Sequence, residues 1–172
     1  MKLFKMLDQE GNTLVSDPFN QTILKELVTK EQSISDLAEK LQMPTLKLWR
    51  RMQKLQKAQL VEIVATQKVG NLEKKLYRST ATSFVPRQYF DFQPKDANLK
   101  PAFELYSDIQ KHLMLEVTKF GDVPKTADPI DYATYANMYA FAQVCGKPEI
   151  YEKIVALQKM LEKFQNPRSQ KE

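Results

Sequence analysis

Between Asp17 and Ser79 the spacing of apolar residues changes from helical to alternating, and this change limits the folds open to the chain. Asp17-Pro18 has the form of a helix start: Asp caps free N–H groups, and Pro fits the first turn, where its missing donor costs nothing. Phe19, Ile23, Leu24 and Leu27 then recur at helical spacing and predict an amphipathic helix to about Val28. After a polar break, a second helix of roughly two turns is expected. Ser35 is its cap, Asp36 and Glu39 lie in its first turns, and Leu37, Ala38 and Leu41 turn inward. Pro44 opens a third helix, expected to run to about Lys57, with Leu48, Met52 and Leu55 as its buried stripe. The pattern then becomes strand-like. Leu60–Thr66 alternates, Val69-Gly70-Asn71 supplies turn chemistry, and Lys75–Ser79 returns as a second strand.

The third helix is also where charge is unbalanced. Lys47, Arg50, Arg51, Lys54 and Lys57 fall on an arc away from the buried stripe, and no acid occurs between Pro44 and Lys57. Cations crowded on one short face repel one another unless something negative faces them. The net charge of +5 is concentrated in the same region: residues 17–80 carry twelve basic and seven acidic residues, whereas the stretches on either side are balanced. A polyanionic partner is the expectation.

Other chemistry is scarce. One cysteine (Cys145) and one histidine (His112) cannot supply an internal disulfide, a zinc finger or a Cys-His-Asn site that draws on two histidine-bearing motifs. Gly11, Gly70, Gly121 and Gly146 are scattered singly, so there is no glycine-rich phosphate cradle. No apolar run approaches the length of a spanning helix, and lysines interrupt the start, Met1-Lys2-Leu3-Phe4-Lys5, before a signal-like run forms. The chain is therefore expected to be soluble and cytoplasmic, without membrane partner, cofactor or enzymatic activity.

Three short helices followed by a basic hairpin describe a winged helix-turn-helix. The particular residues resemble the ArsR-like winged helix-turn-helix transcription regulators: Asp17-Pro18 followed by Ile23-Leu24, the run Ser35-Asp36-Leu37-Ala38-Glu39-Lys40-Leu41, Leu48 to Leu55, Ala58-Gln59-Leu60-Val61, and Leu76-Tyr77-Arg78. The resemblance covers roughly residues 17–80 and implies a homodimer that binds palindromic operators. There are departures. Gln42 and Gln59 stand where the family usually has glycine, Asn20 and Gln21 replace arginines that often follow the Asp-Pro, and Trp49 replaces a small residue in the recognition helix. The helix matching Ser35–Leu41 has none of the paired cysteines of metal-sensing members, which excludes metal sensing at that site.

The expected architecture is mainly α with a small β-hairpin. It comprises an N-terminal arm (1–16), the winged helix-turn-helix (17–80), a connector (81–100), a three-helix dimerisation region (101–165) and a frayed tail (166–172). The connector holds Phe84, Tyr89, Phe90 and Phe92 among prolines 86 and 94, which suggests an ordered extended segment. The three later helices are expected to reach Phe120, to run from Asp128-Pro129 to Cys145-Gly146, and to run from Pro148 to near Phe164. The middle one is apolar nearly all round, so it must be covered on several sides. Ile150, Ile154, Leu157, Leu161 and Phe164 form a heptad-like seam, and with Tyr135 and Tyr139 they make the expected dimer interface.

The expected interface with double-stranded DNA is Thr45, Lys47, Trp49, Arg50, Arg51, Gln53 and Lys54 on the third helix, with Lys68, Lys74 and Lys75 on the hairpin. Trp49 reads equally as a core-edge cap or as a ring stacked on sugar or a thymine methyl. The bland readings are a solvated charge face and a lysine-rich hairpin kept soluble. His112 reads as a satisfied surface histidine and Cys145 as a small buried hydrophobe. Tyr132, Tyr135 and Tyr139 read as packing residues or as the lining of a pocket for an unknown small-molecule effector. The main functional reading is a homodimeric, sequence-specific transcription regulator; the alternative is a winged helix used as a protein-interaction module in a larger complex.

Overall fold

A computed structural model describes residues 1–70, 72–87 and 92–165. They fall into two compact units, one of residues 1–87 with 122–133, the other, in its described part, of residues 92–121 and 134–165.

In the first unit, α2 (Pro18–Thr29), α3 (Ile34–Lys40) and α4 (Thr45–Lys57) precede an antiparallel hairpin of β2 (Val61–Val69) and β3 (Leu72–Ser79). This is the expected mainly helical, winged helix-turn-helix arrangement. A short bridge completes it, in which the backbone N–H and C=O of Gln32 pair with those of Tyr77 at 3.1 and 2.9 Å. Ile23, Leu27, Leu37, Leu48, Met52 and Leu55 are fully buried in one core.

The structure revises several local expectations. The cap of α3 is Ser33, which is extended and accepts from the Asp36 N–H, so Ser35 already lies inside the helix. The hairpin strands are longer than their alternation suggested, and the chain turns at Gly70, whose φ is +62°. Asn71 lies outside the described residues. Phe19 is 54% exposed although it shares the helical spacing of the core residues of α2.

The expected N-terminal arm is folded. Lys2–Leu7 forms β1 and Gln9–Ser16 forms α1, capped by the Asp8 carboxylate on the Gly11 N–H. A Cβ at Gly11 would sit 3.1 Å from that carboxylate and 3.2 Å from Leu7, which is why the tight first turn carries glycine. β1 pairs in parallel with β4 (Ala81–Pro86), a strand where a connector was expected. Leu7 and Phe84 of this strand pair join the winged-helix core. The other edge of β1 bridges to Asp122, with the Val123 N–H on the Met1 carbonyl at 2.9 Å. Of the connector aromatics, Tyr89 and Phe90 lie outside the described residues, as does the tail after Asn166.

In the second unit α5 (Lys100–Thr118) packs against α7 (Pro148–Gln165), and α6 (Pro129–Cys145) crosses from the first unit into it. Ile109, Val144 and Ile150 form the core. Only one face of α6 is buried, through Ala136, Ala140 and Val144, whereas Met138 and Phe141 are 62% and 60% exposed. The apolar surface that remains on α6 agrees with the expectation that the helices of one subunit do not cover it alone. No described helix is long and apolar enough to cross a membrane.

Candidate nucleic-acid interface

The candidate site lies on α4, whose placement follows from the stripe Leu48, Met52 and Leu55, buried in one core with residues of α2 and α3. At about 100° per residue, Lys47, Arg50, Lys54 and Lys57 then fall within an arc of roughly 80° on the far side. All four are exposed. Thr45, Trp49 and Gln53 form an adjoining exposed strip. No acid on the helix divides this surface.

Arg51 is not part of it. Its Nη1 donates to Asp17 Oδ2 at 2.8 Å and to Asn20 Oδ1 at 2.9 Å. Asn20 is itself buried, with its amide nitrogen donating to the Leu14 carbonyl. The guanidinium therefore ties α4 to the start of α2. The bond from Arg51 holds the Asp17 carboxyl below its ordinary pKa, and the N–H groups of Asn20 and Phe19 act in the same direction. Phe19 lies under the same cations: its ring centroid is 5.3 Å from the Arg51 guanidinium carbon and 5.5 Å from Lys47 Nζ. An exposed phenylalanine at this position orients the edge of the basic face rather than filling the core.

The wing lysines separate in a similar way. Lys74 donates to Asp36 Oδ1 at 2.8 Å, which pins β3 to α3 and lowers the Asp36 pKa. Lys68 stands opposite Glu73 in the hairpin register, and Lys75 opposite Thr66; both lysines are exposed. Ten residues were expected at the interface. Of these, Thr45, Lys47, Trp49, Arg50, Gln53 and Lys54 share one helix surface, Lys68 and Lys75 lie exposed on the wing, and Arg51 and Lys74 are held in intramolecular ion pairs.

The expected dimer residues also divide. Ile150 is fully buried in the second unit's core, and Ile154 and Leu157 pack against it, so three of the five seam residues are used inside the chain. Leu161, Phe164, Tyr135 and Tyr139 remain exposed, the two tyrosine rings stacked edge-on against Phe120 at 5.8 and 5.5 Å. His112 Nδ1 lies 2.8 Å from the Asp108 carbonyl oxygen, and Cys145 is a partly buried free thiol.

Sequence reasoning missed Leu46, which is 60% exposed on α4. The signal was available, since Leu46 lies about 150° around the helix from the centre of the buried stripe. It missed Phe19 as a platform for cations for a different reason: Phe19 stands four residues before Ile23 and so reads as the edge of the apolar stripe of α2.

No family model matches the chain, and no curated protein matches it. Among solved structures, the chain is similar to Bacillus subtilis PadR in a crystal structure with operator DNA. The two are 15% identical, the match covers 82% of this chain and 98% of that one, and the TM-score is 0.36. At that superposition the likeness carries no argument, and the fold stands on the geometry described above.

Proposed function

We propose that this chain is a cytoplasmic transcription regulator that binds duplex DNA through α4, with the wing as a secondary contact, and acts as a homodimer. The observation that carries the reading is the exposed, acid-free cationic face of Lys47, Arg50, Lys54 and Lys57 on a helix whose opposite side is locked into a winged-helix core. Such a face suits phosphates, while Thr45, Arg50 and Gln53 are of the types that read base edges in the major groove. The homodimer is supported by the uncovered apolar residues of α6 and the end of α7, Met138, Phe141, Leu161 and Phe164. Two-fold pairing would set two recognition helices about 34 Å apart.

Reversing charge with Arg50→Glu and Lys54→Glu is expected to abolish gel-shift binding to mixed-sequence duplex, with circular dichroism and melting near wild type. Two lost phosphate contacts and two repulsions amount to orders of magnitude at moderate salt. Unchanged binding would remove α4 from the interface.

A protein-interaction module is the second reading, favoured by the exposed Leu46 and Trp49. Absence of duplex binding even at low salt would select it.

A further inference from the structure

α4 carries an exposed apolar pair that neither phosphate attraction nor the fold explains. Leu46 is 60% exposed and Trp49 46% exposed. They lie three positions apart and so are neighbours on the helix surface, with Arg50 one turn beyond Leu46 and Gln53 one turn beyond Trp49. Leu46 points almost directly away from the buried stripe, so no part of the winged-helix core can cover it. Leaving a leucine and a tryptophan in water on the first two turns of a helix forgoes the gain from burying them.

The charge around the pair limits what can cover it. Lys47 and Arg50 adjoin it on one side and Thr45 on the other, and the helix offers no acid to pair with a cationic partner. An apolar pair with a cationic arc along one side is complementary to a major groove, where thymine 5-methyl groups are the apolar feature and phosphates line the edge. Resting on the DNA-binding reading above, we infer that Leu46 and Trp49 are specificity-determining residues, which select sites with thymine methyl groups facing α4. The apolar pair then contributes base discrimination, and the cationic arc contributes sequence-independent attraction.

The test removes the methyl groups and nothing else. Duplexes enriched by the full chain from a random pool are resynthesised with deoxyuridine in place of thymidine, and binding is measured by gel shift across a salt series. Wild type is expected to bind the deoxyuridine duplex about fivefold to tenfold more weakly, the loss of one or two buried methyl contacts, with an unchanged salt slope because the phosphates are intact. The double variant Leu46→Ala with Trp49→Ala is expected to bind both duplexes alike, with the slope of wild type. The single variant Leu46→Ala, at a position outside the core, should lose part of the discrimination and secures the result if the double variant folds poorly. Equal wild-type affinity for the two duplexes overturns the inference and leaves DNA binding standing. Failure to enrich or bind any duplex overturns both, and points to a protein as the occupant of the apolar pair.

Discussion

Arg51 differs from the other cations of α4 in what lies across from it. Lys47, Arg50 and Lys54 face outward, while Arg51 meets Asp17 and Asn20. On the helix it belongs to the same run of basic residues, and its partners are more than thirty positions earlier, so nothing local marks it as structural. The cationic character of the site was therefore legible in the sequence, but its membership was not. Lys74 poses the same problem through Asp36. Neutral replacements separate the two kinds of cation. Arg50→Met and Lys75→Met are each expected to reduce the slope of log affinity against log salt by about 0.9, with little effect on melting. Arg51→Met and Lys74→Met should leave the slope near its wild-type value, and Arg51→Met should lower the melting midpoint. A full slope change in Arg51→Met would return that guanidinium to the DNA surface.

The helices and hairpin of the winged unit were legible because each announces itself locally, through a proline or a cap at the start, an apolar stripe, and a glycine at the turn. β1 and β4 were not, because their pairing is parallel and non-local and each strand is short. α1 has weak helix-forming residues, including Gly11, and depends on the Asp8 cap and on packing against α2. The ends of α3 and α4 illustrate how local chemistry can be overridden. Both close with the same paired bonds, Gln42 N–H to Glu39 and Met43 N–H to Ala38 in one, Gln59 N–H to Gln56 and Leu60 N–H to Leu55 in the other. The motif requires left-handed backbone, and Gln42 and Gln59 adopt it at φ of 51° and 55°. Side chains with a Cβ are strained there. Gln42→Gly and Gln59→Gly are each expected to stabilise the fold by about 0.5–1 kcal/mol, read as a higher urea midpoint at constant m-value. A lower midpoint in either variant would show that the glutamine side chain offsets the backbone cost.

Among the described residues of the second unit Met138, Phe141, Leu161 and Phe164 stay exposed, and the heptad-like spacing of α7 concealed how its residues are apportioned. The seam looked uniform in sequence, but Ile150, Ile154 and Leu157 face α5 and the core, and only Leu161 and Phe164 remain outside. A charge at Ile154 would therefore damage the unit itself and say little about assembly. Met138→Asp with Phe141→Asp changes only exposed positions. If α6 joins two copies, this variant is expected to sediment as a 20.0 kDa monomer at concentrations where wild type is dimeric, and its affinity for a two-site operator should fall toward that of a single winged helix. Wild type that sediments as a monomer at micromolar concentration would remove the dimer. A different consequence follows from β1, which is clasped along one edge by β4 and at the other by Asp122 and Val123. Closing chain loops of that length forfeits conformational entropy before any pairing returns energy, whereas Gln32–Tyr77 closes a shorter loop and the contacts between successive helices close shorter ones still. The expected order of assembly is that the winged helix condenses first and β1 docks last. β1 is then expected to release first under heat or denaturant, with its amide protons exchanging with solvent before those of α4; slower exchange in β1 than in α4 would remove that order.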